Sequence, residues 1–361
     1  MKNILSFIRK IEYIFRGYKI GKCVFFGKNV TLKADKIVIG DYCFFGDNVK
    51  IVAETINIQE QCLFFSNTSL YANKEIIFGK RCKLSKNCTW KANSINVGNE
   101  LWANRNIDVG GGGWNNPNGN LIIGNNVHIG NNVHINVCEP VVIEGKSGIG
   151  MECMIFTHSS GNGQNIFYGY PSLALPVTIK QHVSLYSRVI IAPGVTVGEG
   201  TTVGANTFVG KSIMGYALFG GNPCVLLKEF SPLTIDEGFE FVSNEIEKFT
   251  IKILKSENIC IYDYLGEYIA LLKEYNKEEG EIISEKYKIK VIICYQHNNT
   301  FIDNITFFDL KNQKVFGHSS STSEKVRDVL RRLGIIIEIH DSYEPTRLSA
   351  KNLIMNNIEE S

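Results

Sequence analysis

The 361-residue sequence predicts a mainly β protein: a parallel β-helix with a short helix before it and a small α+β domain after it. Three observations carry that class. Between about residues 20 and 210, aliphatic residues recur every six positions. After Glu229 this period stops, charge rises and helical spacing takes over. Before residue 20, the apolar residues fall on one face of a helix. The chain therefore divides into 1–19, 20–230 and 231–361.

The first segment, "MKNILSFIRKIEYIFRGYKIG", puts Ile4, Phe7, Ile8, Ile11, Ile14 and Phe15 on one helical face, with Lys2, Arg9, Lys10 and Arg16 elsewhere. Two roles suit such a helix: a cap packed on the following domain, or peripheral contact with a membrane surface. Arg9, Lys10 and Glu12 interrupt the apolar stretch, and no small-residue cleavage site follows it, so it does not read as a secretory leader. No run of eighteen apolar residues predicts a transmembrane helix. The expected location is the cytoplasm, with the inner face of the membrane as an option. Reduced thiols are expected for the ten cysteines.

The second segment repeats itself. It reads "IGDYCFFGDNVKI" from Ile39, "IGNNVHIGNNVHI" from Ile123 and "VGEGTTVGANTFV" from Val197. Apolar residues stand six and twelve positions after each start, as in Ile123, Ile129 and Ile135, or Val197, Val203 and Val209. A period of six fits neither a helix nor a simple alternating strand. Three six-residue units make one turn of a triangular coil, with the aliphatic residue pointing inward and Gly or Asn at the corner, where positive φ is tolerated. Each coil buries its face on its neighbours. Cys43, Cys62, Cys82, Cys88 and Cys153 all fall at offset four or ten, which makes them packing residues.

Two interruptions break the period. "GGGGWNNPNGN", from Gly110 to Asn120, is rich in turn residues. "FTHSSGNGQNIFYGYPSLALP", from Phe156 to Pro176, is the longer insertion, and His158 stands at its root. Loops extruded from a regular scaffold are where function concentrates. One coil before His158, twenty residues back, lies "NVCEP". That spacing stacks Cys138 or Glu139 beside the histidine, and Glu139 is the candidate carboxylate partner.

The stretch from about Ile143 to Phe230 contains "VTIKQHVSLYSRVIIAPGVTVGEGTTVGANTFVGK" and then "GGNPC". It resembles the hexapeptide-repeat acyltransferases, particularly the galactoside, maltose and polysaccharide O-acetyltransferase group. The resemblance implies a left-handed prism and a homotrimer with active sites between subunits. It also implies acetyl-CoA as acyl donor, no metal, and a carbohydrate acceptor in a surface polysaccharide or its precursor. It makes His158 the catalytic base and matches Asn132 to a polar active-site residue. Ser187 falls beside the thioester and Ala205 beside the pantetheine arm. Gly221, Asn222 and Pro223 border the cofactor. Lys211 lies near the nucleotide phosphates, with Lys228 a second option. Where relatives often read Val-Trp-Ile-Gly, this chain has Ser184 for the Trp and Tyr186 for the Gly. Trp114, Tyr168 and Tyr170 are then the aromatics available to stack on a sugar, or to anchor the loops.

Acetyl transfer from a thioester to a hydroxyl needs a base for the hydroxyl proton, and neutral imidazole suits that near pH 7. Direct attack is expected, because none of the cysteines is placed as a nucleophile. Two alternatives are an N-acetyltransferase of amino (nucleotide-)sugars and a non-catalytic scaffold. The first usually has an N-terminal nucleotide-binding α/β domain, which is not recognisable here. The second would dispense with the histidine and the Gly-Asn-Pro segment. A net charge of +2 speaks against a broad nucleic-acid-binding face. CxxC and HExxH are absent, and His128 and His134 point from different prism faces, so no metal site is expected.

In the tail, 231–256 and 264–287 read as helices, "KIKVIICY" as a buried strand and "NITFFDLKNQKVFGH" as a hairpin. In "SSSTSEKVRDVLRRLG", Ser321 caps a helix with Glu324 three residues on. Val326, Val329, Leu330 and Leu333 line its inner face, Gly334 stops it, and "IIIEIH" follows as a strand. Arg327, Arg331 and Arg332 form a solvated face. No catalytic constellation is visible in this domain.

Overall fold

The computed structural model describes residues 2–112, 116–159, 166–169, 173–255, 258–273, 275, 277–295, 302 and 304–339. The chain separates into two compact units after Phe230.

The first unit is a triangular parallel β-helix. Each coil passes through three faces. In one coil the first face is Lys36–Ile39, the second Phe44–Phe45 and the third Lys50–Val52. Each strand pairs in parallel with its counterpart in the next coil, as in Ile39↔Ile58, Phe45↔Phe64 and Ile51↔Leu70. The second face is an 11-stranded sheet. The first and third faces merge into one 16-stranded sheet, because Ser69–Phe78 and Thr89–Val97 run through the corner between them. After the last coil, Val225–Glu229 folds back antiparallel on Ala217–Gly220.

The six-residue period is the core. Ile123, Ile129 and Ile135 are at most 2% exposed, and Val197, Val203 and Val209 are fully buried. Toward the N-terminal end the filling is aromatic: Phe26, Phe45 and Phe64 stack at 5.2 and 5.3 Å. The five repeat cysteines are buried. All five thiols donate to a carbonyl of the next coil: Cys43 to Gln59 (3.1 Å), Cys62 to Gly79 (3.0 Å), Cys82 to Gly98 (3.1 Å), Cys88 to Asn104 (3.2 Å) and Cys153 to Tyr186 (3.0 Å). Burial pushes the Cys88 and Cys153 thiols up to about 11.

The corners divide a task that the sequence assigns to Gly and Asn alike. Asn29, Asn48, Asn67, Asn87, Asn106 and Asn132 all hold φ between 52° and 62°. Each of the first five donates its side-chain amide to the side-chain oxygen of the next, at 3.0–3.3 Å, forming one ladder along the edge between the second and third faces. Corner glycines such as Gly124 and Gly130 are needed instead for close approach. A Cβ there would lie 2.5 Å from Gly145 N and 2.7 Å from Met151 N.

Helix α1 (Lys2–Phe15) covers the first coil, but with its polar face inward. No coil precedes the first, so its strand edge presents unpaired backbone groups. Ser6 Oγ accepts the Phe26 N–H (2.9 Å), and Tyr13 OH accepts that of Leu32 (3.1 Å). Lys10 donates to Gly21 O (2.7 Å), and Arg9 to Gly27 O. Among the described residues no helix is long and apolar enough to cross a membrane.

In the second unit, α2 (Ile235–Glu247), α3 (Lys277–Tyr287) and α4 (Ser321–Arg332) accompany a seven-stranded mixed sheet. Three expectations are corrected. Ile251–Lys255 is a strand rather than the end of α2, and 264–287 is a strand Glu267–Leu272 followed by α3. Leu265 and Gly266 turn the chain at φ 53° and 83°, which no helix allows. The strand is buried on both sides: Ile269 and Leu271 pack with Val326 and Leu330, while Ala270 and Leu272 pack with Tyr275 and Phe307. A strand buried on both faces loses the alternation that would betray it. The N-cap of α4 is Ser320, in a capping box with Ser323, rather than Ser321 with Glu324. Gly334 follows at φ 78°.

Candidate active site

Both excursions leave the prism at one edge, between the third and first faces. The first follows Asp108–Gly110 and the second follows Met154–Ile155. Between these strands lies His134–Asn136, paired with both. Ile135 points into the core, so the next side chain, Asn136, points out. It is nevertheless only 2% exposed, because the start of the first excursion closes over it. Its Nδ2 donates to Gly111 O (2.7 Å) and Gly110 O (3.3 Å). Gly111 stands at φ +81°, and a Cβ there would meet Asn136 Nδ2 at 2.1 Å.

Two carbonyl acceptors fix which way the amide faces. Oδ1 must look the other way, and there it accepts the Thr157 hydroxyl (2.6 Å) and lies 2.8 Å from His158 Nδ1. An amide oxygen cannot donate, so Nδ1 carries the hydrogen and Nε2 carries the lone pair. The contact thereby sets the tautomer of the half-buried imidazole, with the lone pair of the neutral ring on Nε2. The backbone at its root is pinned as well. His158 pairs antiparallel with Ala174, Ser159 N–H donates to Leu173 O (2.9 Å), and Leu175 N–H to Thr157 O (2.8 Å).

Glu139 is not the partner of Nδ1. It joins the network through its backbone N–H, donated to Thr157 Oγ1 (3.1 Å). The twenty-residue register does bring Cys138 opposite His158, since it pairs His134 with Met154 and Ile135 with Ile155. The imidazole reaches back two further residues, to the preceding outward position. Asn132 stands on the edge that also carries Ser187 and Ala205. It accepts from Asn106 (3.0 Å) at the end of the corner ladder, on a different edge from His158. Asn136 and Thr157 are the residues that sequence reasoning missed. The available signal was a polar residue in the otherwise apolar "INVC", one coil plus two residues before the histidine.

The residues expected on the donor side lie along two edges. Ser187, Ala205 and Gly221–Pro223 each follow a second-face strand: Ser184–Leu185, Thr202–Val203 and Ala217–Gly220. Gly221 is left-handed at φ +91° and donates to Thr207 Oγ1 (3.1 Å). Lys211 is exposed on His158's edge, after the last third-face strand. It is close enough to Cys224 to lower that thiol's pKa, although burial raises it more. Lys228 is exposed in the final strand. On the second excursion Tyr168 is 78% exposed, in a single turn over Ile166–Tyr168. Trp114 and Tyr170 lie outside the described residues. His128 and His134 stand on different faces. Among the described residues no three His, Cys, Asp or Glu side chains are grouped to hold a metal.

Comparison with known proteins names the repeat. Residues 176–211 match the family model described as bacterial transferase hexapeptide (six repeats). The coils over these residues are thus built from hexapeptide repeats. Among solved structures, this chain is similar to three acyltransferases. One is a hexapeptide-repeat containing acetyltransferase, VCA0836 from Vibrio cholerae O1 biovar eltor, complexed with acetyl coenzyme A. The identity is 23% over 35% of this chain and 62% of that one, with a TM-score of 0.28. Another is a mutant of AntD, an N-acyltransferase from Bacillus cereus in complex with dTDP and coenzyme A. There the identity is 20% over 46% and 91%, with a TM-score of 0.37. The third is the polySia specific acetyltransferase NeuO, with 16% identity over 64% and 91% and a TM-score of 0.34. The chain spans 62% of the length of the first of these. Comparison with curated proteins gives no match.

Proposed function

We propose that this protein is an acetyl-CoA-dependent O-acetyltransferase acting on a sugar hydroxyl of a surface polysaccharide or its precursor. The observation that carries the reading is the Asn136–His158 contact, which leaves Nε2 as the only imidazole nitrogen able to take a proton. The hydroxyl oxygen attacks the thioester carbonyl while Nε2 accepts the hydroxyl proton. The tetrahedral intermediate collapses, the C–S bond breaks, and the thiolate of CoA recovers the proton from the imidazolium. Acetate is never attached to the protein.

The donor-side residues support the same chemistry. Lys211 supplies a cation for phosphate, and the Gly221–Pro223 turn lies near it, since Lys211 acts on the adjoining Cys224 thiol. Ser187 and Ala205 lie on a different prism edge from His158. One prism cannot wrap both edges around one thioester, whereas neighbouring prisms in a closed ring can. A homotrimer with three sites between subunits is therefore part of the proposal. Tyr168, on the loop that His158 opens, offers an aromatic face to the sugar.

The test is acetyl-CoA turnover, followed as free thiol, with hexoses, sialic acids, nucleotide sugars and capsule oligosaccharides as acceptors. Acceptor-dependent release that falls by about 100-fold or more in His158→Ala supports the reading. Unchanged release in that variant removes His158 as the base. Turnover confined to amino sugars replaces O-transfer by N-transfer. A single-chain mass by light scattering at assay concentration overturns the ring.

A further inference from the structure

Helix α1 is mounted with its apolar stripe facing away from the prism. Phe7, Ile8, Ile11, Ile14 and Phe15 are 64, 56, 37, 48 and 87% exposed. At 100° per residue they occupy one arc of about 120°. The opposite side holds Ser6, Arg9, Lys10 and Tyr13, all engaged with the first coil. The helix does not have to detach or roll to present its apolar stripe, because its polar contacts already hold it in that orientation.

Charge indicates what covers the stripe. Residues 1–28 contain seven lysines and arginines (Lys2, Arg9, Lys10, Arg16, Lys19, Lys22 and Lys28) against one acid, Glu12. The whole chain carries only +2, so the remaining residues are net acidic and the positive surplus is concentrated at this end. Arg16 pairs with Glu12 (2.5 Å), while Lys19, Lys22 and Lys28 are exposed on the coil beneath the helix. Symmetric docking of a second copy here would bring two strongly positive ends together. An apolar stripe bordered by cations matches the interface of an anionic bilayer, where acyl chains receive the stripe and headgroups receive the lysines.

We propose that α1 and the first coil form a membrane-seating surface that rests one end of the prism on anionic lipid without crossing it. The test is sedimentation of the full chain with phosphatidylglycerol-containing vesicles and with vesicles of phosphatidylcholine alone. Partition at least about tenfold greater onto the anionic vesicles, falling as salt rises, is expected. Phe7→Asn/Phe15→Asn should abolish the binding and leave the thermal melt unchanged. Lys19→Gln/Lys22→Gln/Lys28→Gln, which leaves the helix contacts intact, should remove the preference for anionic lipid. Wild-type protein left in the supernatant overturns the proposal, as does equal binding to both vesicles or undiminished binding of the Phe7/Phe15 variant. A wild-type solution mass twice that of the Phe7/Phe15 variant assigns the surface to a second copy instead.

Discussion

His158 Nδ1 stands 2.8 Å from Asn136 Oδ1, across 22 residues of sequence. The orientation of the Asn136 amide is imposed from its other end by the carbonyls of Gly110 and Gly111. One excursion thus sets the tautomer of the residue that opens the other.

The first prediction follows from that chain of contacts. Asn136→Ala leaves Nδ1 without its acceptor, so the ring is free to turn and to change tautomer. The turnover number should fall by about 10- to 100-fold, part of the contribution of a positioned base, with little change in KM for acetyl-CoA. Gly111→Ala should produce a similar loss, because its Cβ overlaps Asn136 Nδ2. Steady-state kinetics of the two variants checks this. A change confined to KM would mean that Asn136 serves binding rather than the base.

Asn87 sits inside the corner ladder, donating to Asn106 (3.3 Å) and accepting from Asn67 (3.1 Å) at φ 62°. Asn87→Ala loses the amide and keeps the left-handed backbone, at a cost of about 1–2 kcal/mol. Asn87→Gly loses the amide but relieves the backbone, and should cost less. Thermal melts of both decide whether the ladder or the φ preference explains asparagine at this corner. Equal losses would assign the effect to the ladder.

His182 holds φ 57°, and its pKa lies below the ordinary 6.5, chiefly through burial and secondarily through the charge of Lys146, with Glu199 opposing. A depressed folded pKa means that the unfolded chain binds the proton first as pH falls. The stability contribution is intact above about pH 6.5 and is lost as pH drops through the folded value. His182→Asn keeps a residue suited to the left-handed corner and removes the titration. Its melting temperature should fall less than that of wild type between neutral pH and about pH 5. Parallel declines in the two proteins would remove His182 as a contributor.

The thiols predict a labelling pattern. Cys88 and Cys153 are raised to about 11 by burial, whereas Cys23 is exposed. Alkylation of the native protein near pH 8 should mark Cys23 and spare Cys43, Cys62, Cys82, Cys88 and Cys153 until the prism unfolds. Peptide mapping after iodoacetamide treatment reads the outcome. Early labelling of any of the five would mean that the coils open locally.

The prism was legible because each coil rests on the next at constant register. An inward position then recurs at a fixed spacing, and one strand's needs are copied into the next. The same repetition identified the buried cysteines and both excursions, and with them His158. It misled over Glu139, since stacking by one coil names the residue opposite in the ladder and not the side chain within reach of Nδ1. In the second unit, the strand Glu267–Leu272 was obscured because both of its faces are buried and its pattern no longer alternates.

Local repetition therefore dictated the β-helix, its corners and the place where His158 emerges, because those depend on contacts at one constant spacing. Three things depended on the assembled structure. Asn136 orients His158 only once the Gly110–Gly111 backbone folds over it. Asn132 and His158 fall on different edges because of where each coil turns. The amphipathic pattern of α1 could be read directly, but not which side would face inward. That was decided by the unpaired N–H and carbonyl groups along the edge of the first coil, which only polar side chains can satisfy.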